Sequence, residues 1–444
     1  MKNGVFERFD WLLTLCVTVL AVFSVMFIYS SGINSEGELT SKSFIRQIVY
    51  FIIAFLIMLL VAFVDYRKYA RYVPYIFAAF IFLLMLVLVL GFLFPRYFSR
   101  HGAKSWLGIG SLGVQPSEFC KIAFIMFLAY FFDKTKNGMS QLKRLFLSAL
   151  ILIIPAGLIL VQPDFGTAFI YIPVFLVMCI VAGIPLKYVA FLFFTGALTI
   201  IFTFVPLWQQ YITRVHTPVV TLLTSNLFFI IEIVVLNVFF GLSLLGYYLF
   251  PEFRKIFYYI AYVMLILLIS VTMAKIFPHF LKPYQIKRLV IFLNPDLDPL
   301  DSAWNIINSR IAIGSGNIWG KGFLLGTQSH LQYLPEQSTD FIFSILAEEL
   351  GFKGAFFVFL VYLTILVRII YILKNTINTY GYYIGVGIIS LLFFHFIINV
   401  GMVMGIMPVT GIPLLFMSYG GSSLLTSMVA VGIVMSIRYH KFEF

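Results

Sequence analysis

Apolar runs of about 20 residues recur along the whole chain, separated by short charged connections, and no other feature constrains its folding as strongly. They cover about 11–30, 47–64, 73–94, 111–132, 145–162, 167–184, 188–206, 219–250, 256–276, 353–373, 381–407 and 412–437. A helix of about 20 apolar residues crosses the hydrocarbon core of a bilayer. The pattern therefore predicts about twelve transmembrane helices, the eighth long enough to tilt, kink or overhang. The alternative, several soluble domains, needs roughly 25% charged residues to coat its surfaces, whereas this chain is 61% hydrophobic and 11% charged. The expected fold class is an all-α polytopic membrane protein.

The balance of 30 Lys+Arg against 18 Asp+Glu, a net +12, would raise the question of nucleic acid in a soluble protein. Here no nucleic acid is expected, because the positive-inside rule and anionic lipid headgroups account for the excess. Arg67, Lys68 and Arg71, then Lys134, Lys136, Lys143 and Arg144, then Lys187, Arg254 and Lys255, then Lys374 lie in alternate short connections. These are assigned to the cytoplasm together with both termini, including Arg438 and Lys441. The first run is long and lacks a small-residue cleavage site, so it reads as a span and not as a cleaved signal. Cys16, Cys120 and Cys179 show no CxxC or ligand spacing and read as small buried hydrophobes.

One connection is long. From about 277 to 340 the chain mixes Gly, Asp, Asn, Gln and Lys with apolar anchors such as Ile291, Ile306, Leu331 and Leu334, which predicts a folded cap on the outer face. Charges within helices are the next signal, since each costs about 2.5–3.5 kcal/mol at a helix centre. Glu118 and Lys121, three apart, share a helix face; they form either a structural ion pair or a site where Lys121 helps hold an anionic substrate. Glu232 stands alone and reads as a protonated or helix-paired acid. The run Gly314–Gly322 resembles a phosphate loop, but its glycine spacing is wrong and Gly322 replaces the Mg-binding Ser/Thr, so no nucleotide is expected. Asn294, Asp296 and Asp298 alternate like calcium ligands, yet Pro299 and Asn305 stand where the turn Gly and the closing Glu belong. Glu336 and Asp340 flank Gln337-Ser338-Thr339 where the cap re-enters the membrane, and Glu348 and Glu349 follow. A carboxylate at such a boundary is partly desolvated and becomes a better proton acceptor. Arg96, Arg100, Lys104, Lys287, Arg288, Arg310 and Lys321, on the same side, run against the positive-inside trend and suit either lipid headgroups or a bound polyisoprenyl pyrophosphate.

Ser105-Trp106-Leu107, Gln115-Pro116-Ser117-Glu118-Phe119-Cys120-Lys121, Gln162-Pro163-Asp164-Phe165-Gly166-Thr167-Ala168 and Tyr284-Gln285-Ile286-Lys287-Arg288 follow one another in an order met in one family. Gly326-Thr327-Gln328-Ser329, Leu334-Pro335-Glu336-Gln337-Ser338-Thr339-Asp340, Ala347-Glu348-Glu349-Leu350-Gly351 and Ser418-Tyr419-Gly420-Gly421-Ser422-Ser423 complete the series. In these stretches the chain resembles the SEDS proteins of shape, elongation, division and sporulation, and the Gly-Thr-Gln-Ser run favours the RodA branch over the FtsW branch. The likeness covers nearly everything outside roughly 207–280.

The resemblance implies a peptidoglycan glycosyltransferase that polymerises lipid II during cell elongation and rod-shape maintenance, beside a class B penicillin-binding protein that crosslinks the strands. It implies a single SEDS membrane domain over 1–444, with a core of ten spans, a transmembrane hairpin inserted over 207–280, and an extracellular cap over 277–340 that carries the catalytic region. Asp340 matches the family's essential outer aspartate and becomes the candidate catalytic base. Trp106 matches a functionally important tryptophan and joins Glu118, Lys121, Lys287, Arg288, Arg310, Gln328 and Glu336 as candidate substrate-binding residues. A divalent cation, Mg or Mn, would suit the pyrophosphate chemistry. Leu415 departs from the family pattern, which has a second proline before Ser418. Two other readings fit the helices: a lipid II flippase, although no pseudo-symmetric halves are evident, and a non-catalytic scaffold for a transpeptidase. The expected site is the bacterial cytoplasmic membrane, with the active site outside.

Overall fold

The computed structural model describes residues 9–94, 105–108, 113–208, 225–280, 283–299, 303–331 and 333–441. Arg96, Arg100 and Lys104 of the outer cation set, and the 209–224 part of the expected hairpin, lie outside them. The principal helices are α1 (Trp11–Ser30), α2 (Ser43–Phe63), α3 (Val73–Leu93), α4 (Pro116–Thr135), α5 (Gln141–Val161), α6 (Phe165–Val181), α7 (Leu186–Trp208), α8 (Asn226–Leu249), α9 (Arg254–Ile276), α10 (Pro283–Leu293), α11 (Trp304–Ser315), α12 (Ile342–Lys374), α13 (Thr379–Val403) and α14 (Gly421–Tyr439). Among the described residues ten helices are long and apolar enough to cross a membrane. The expected fourth and sixth spans correspond to α4, which carries Glu118, Lys121, Asp133 and Lys134, and to the 17-residue α6. In hydrocarbon every backbone polar group must find an internal partner, and continuous helix achieves this.

The chain forms two compact units, Pro185–Trp304 and the remainder, Met1–Ile184 with Asn305–Phe444. In the smaller, α9 packs against α7 and α8, and the Tyr262 hydroxyl donates to the Lys187 carbonyl at 2.6 Å. In the larger, α13 and α14 are apolar and buried around most of their circumference, as helices at the centre of a bundle must be. Helices α4, α6 and α12 pack on α13, α2 lies along α14, and α1 lies against α12. At one end of this bundle the buried Asp10 carboxylate caps α1 and accepts from Arg368 of α12 at 2.9 Å and from Arg438 of α14. Three helix ends are thereby joined by charge.

Two expected spans have different limits. The run 353–373 is the second arm of α12, whose first arm, 342–350, ends at Gly351 with φ +66°. Loop backbone enters this break: Lys321 and Gly322 N–H donate to the Glu348 and Glu349 carbonyls at 3.0 and 2.9 Å, while Phe352 N–H donates to Asn317 at 2.8 Å. The run 412–437 becomes helical at Gly421. Before it, Gly405, Gly411 and Phe416 adopt positive φ, and Pro408 and Pro413 lack N–H groups. Side chains supply the missing partners, Asn399 at the Ile412 carbonyl, His395 at Pro413 and the Tyr362 hydroxyl at Leu415. Leu415 therefore lies outside the last helix, so its departure from the family proline bears on this irregular segment.

Candidate active site

Asp340 sits just before α12, partly exposed, in a turn that Glu336 enters with φ +52°. The Glu336 carbonyl accepts the Thr339 and Asp340 N–H groups, each at 3.2 Å. The three carbonyls of Ser338, Thr339 and Asp340 then accept in succession from Tyr419 N–H at 2.8 Å, the Ser418 hydroxyl at 2.5 Å and Asn399 Nδ2 at 3.0 Å. Gln337 Nε2 donates to the Ser31 carbonyl at 2.7 Å, and Glu336 is exposed with its carboxylate accepting from Thr339 Oγ1 at 3.2 Å. The backbone that carries Asp340 is thus held from outside its own helix.

Glu118 and Lys121 form the expected pair at 2.8 Å, both about 97% buried. Pro116 starts α4, so Glu118 lies in its first turn and Lys121 one turn further on. Lys121 Nζ also lies 3.1 Å from His395 Nε2, and His395 Nδ1 faces the Pro413 carbonyl at 3.3 Å. A carbonyl can only accept, so Nδ1 carries the proton and Nε2 receives one from the ammonium. Glu118 Oε2 has no hydrogen-bond partner. His395 and Asn399 are four residues apart on α13, a spacing that stacks them on one helix face, so the lysine pair and the Asp340 turn are gripped by adjacent positions. Gln115, just before α4, donates to Asp164 Oδ2 at 2.8 Å, and Asp164 caps α6. Trp106 is partly buried and adjoins an antiparallel bridge between Leu107 and Val114.

The other candidates divide differently. Lys321, expected among the outer cations, pairs with the fully buried Glu348 at 2.6 Å, so its charge serves the fold. Glu348 Oε1 further accepts Thr327 and Gln328 N–H at 2.8 and 3.0 Å, whereas the Gln328 side-chain oxygen is buried without a partner. Glu349 accepts from Ser30 and from Leu324 N–H; both glutamates act as anchors and not as proton acceptors open to a substrate. Arg310 is exposed, its side chain beside Gly405. Lys287 is matched by Asp298 at 2.7 Å, and Arg288 is exposed; these two belong to the smaller unit. The glycines of 314–322 do not form a phosphate cradle: a Cβ at Gly316 would lie 1.9 Å from the Ala347 carbonyl and one at Gly320 2.1 Å from that of Glu349. They permit backbone contact with α12. Among the described residues no group of three or more His, Cys, Asp or Glu converges to hold a metal.

His395, Asn399 and Ser30 were not among the sequence candidates. For His395 and Asn399 a signal was present, since a His and an Asn four apart in an otherwise apolar helix are costly in a membrane, but neither carries a fixed charge or sits at metal-ligand spacing.

A polytopic helical membrane protein whose buried core holds a glutamate–lysine ion pair, and whose longest helix is preceded by a carboxylate on a tethered turn, is the class that fold and site define. The chain belongs to the FtsW/RodA/SpoVE family, the SEDS proteins: the family model described as "Cell cycle protein" matches residues 10–227 and 219–443. It is 44% identical over 432 residues to the peptidoglycan glycosyltransferase RodA of Treponema pallidum, covering 97% of each chain. Its fold resembles a chain solved in a study of the structural coordination of polymerization and crosslinking by a peptidoglycan synthase complex, with TM-score 0.66, 22% identity and coverage of 98% of this chain and 99% of that one. It also resembles the rod shape determining protein RodA of Thermus thermophilus, with TM-score 0.59, 20% identity and 98% coverage of each.

Proposed function

We propose that this protein is a peptidoglycan glycosyltransferase that polymerises lipid II into glycan strands during elongation, from the outer face of the bacterial cytoplasmic membrane. The observation that carries the reading is the Asp340 turn: a partly exposed carboxylate, at the position of the family's essential aspartate, on a backbone held by three hydrogen bonds. Joining two lipid-linked sugars requires a hydroxyl to attack an anomeric carbon while a polyprenyl pyrophosphate departs. Asp340 accepts the hydroxyl proton as the bond forms, help worth about 10²- to 10⁴-fold. Lys121 contacts substrate from the Glu118–Lys121–His395 cluster. The unpartnered Glu118 Oε2 supports this, because buried polar networks are normally complete. Trp106, Gln328 and Glu336 are proposed to bind substrate, and Lys121, Arg310, Lys287 and Arg288 are proposed as cations that offset pyrophosphate charge.

A class B penicillin-binding protein is the partner proposed, residues 207–280 are proposed as an inserted hairpin, and 277–340 as the extracytoplasmic cap. The basic connections and the Asp10–Arg368–Arg438 end face the cytoplasm, as the positive-inside rule favours. Purified protein incubated with lipid II, alone and with the transpeptidase, tests the function. Glycan strands are expected; translocation of lipid II in vesicles without polymer would favour the flippase, and neither activity would leave the scaffold.

A further inference from the structure

The Asp340 side chain is delivered by a turn whose shape its own helix does not set. Helix α12 starts at Ile342, and the preceding turn holds Glu336 at φ +52°, a conformation sustained only where the surroundings over-determine it. Asn399 is fully buried and divides its two Nδ2 protons between the carbonyls of Asp340, at 3.0 Å, and Ile412, at 2.7 Å. Ser418 donates to the Thr339 carbonyl at 2.5 Å while its oxygen accepts Leu414 N–H at 2.8 Å. Both side chains therefore join the Asp340 turn to the irregular 404–420 segment, and neither is replaceable by a group lacking a donor.

We infer that Asn399 and Ser418 are positioning residues for Asp340, setting where its carboxylate meets the attacking hydroxyl without touching substrate themselves. The inference rests on the glycosyltransferase reading. A displacement of about 1 Å in a reacting group can cost about 100-fold in rate, so losing one tether lowers kcat more than it weakens binding.

The test measures kcat and KM for lipid II polymerisation, with thermal unfolding in detergent, for wild type, Ser418→Ala, Ser418→Thr and Asn399→Asp. Ser418→Ala, which lacks the donor, should lose about 10- to 100-fold in kcat with KM nearly unchanged and only the modest drop in unfolding temperature that one lost hydrogen bond brings; Asn399→Asp should lose kcat likewise, its buried carboxyl adding a loss of stability. Ser418→Thr, which keeps the hydroxyl, should recover most of the rate. If Asn399→Asp does not fold, the serine pair decides alone. Unchanged kcat in Ser418→Ala, failure of threonine to rescue, or loss of rate only in step with loss of stability would each overturn the inference. An active wild type with an active Ser418→Ala rejects the positioning role alone. An inactive wild type rejects the glycosyltransferase reading and this inference with it.

Discussion

Asp340→Asn preserves size and removes the basic charge, so it should abolish strand synthesis, with a loss of about 10²- to 10⁴-fold, while membrane insertion and thermal stability stay at wild-type levels. Near-normal polymer from the Asn variant, assayed with purified protein and lipid II, would exclude Asp340 as base. The Glu118–Lys121 pair makes a separate prediction. Breaking a buried ion pair from one side leaves an uncompensated charge and costs about 3–5 kcal/mol. Glu118→Gln with Lys121→Met should therefore recover much of the stability that either single change loses. If Lys121 contacts substrate, as proposed, the double variant is stable and inactive. Unfolding temperature and polymer yield across the four proteins separate the two roles, and a stable, active double variant would remove Lys121 from the site.

At the scale of elements, the break in α12 and the loop 316–324 behave as one construction. Gly351 at φ +66° brings its Cα so close to the loop that an added Cβ would lie 2.3 Å from Gly320 N. Gly351→Ala should thus destabilise by at least the 1–3 kcal/mol typical of overpacking and should also displace Glu348 and Glu349, whose carbonyls and carboxylates hold Lys321, Gly322 and Leu324. Gly157→Ala in α5, where nothing lies within 4 Å of the added carbon, is the matched control. Differential scanning fluorimetry in detergent should show a drop for the first and little change for the second; equal unfolding temperatures would mean that the loop does not constrain the break.

For the whole molecule the prediction concerns sidedness. The turn Pro251–Phe253 joins α8 to α9 and is exposed, and the proposed topology puts it in the cytoplasm beside Arg254 and Lys255. Leu325, 63% exposed, lies in the segment proposed as the cap. In intact cells a cysteine at Glu252 should resist an impermeant thiol reagent and one at Leu325 should react. The three native cysteines are buried and leave a low background. Labelling of the first with protection of the second would invert the topology and move Asp340 to the cytoplasm. Most of this architecture was legible in the chain itself. Burying a helix in lipid requires an unbroken apolar run, a local property, so the class of the helices follows from the residues in order, although ten and not twelve of the described helices are long and apolar enough to cross a membrane; the family stretches marked Asp340, Glu118 and Lys121. Beyond the Glu118–Lys121 pair itself, what they touch was not legible. His395, Asn399 and Ser418 reach their partners across 274, 59 and 79 residues. Likewise, spacing alone ruled out a phosphate loop around 316–320, but only packing against Ala347–Gly351 shows what these glycines are for. Hydropathy is read one segment at a time, whereas a hydrogen bond that satisfies a buried carbonyl depends on which distant side chain the packing brings within about 3 Å, and that only the tertiary structure decides.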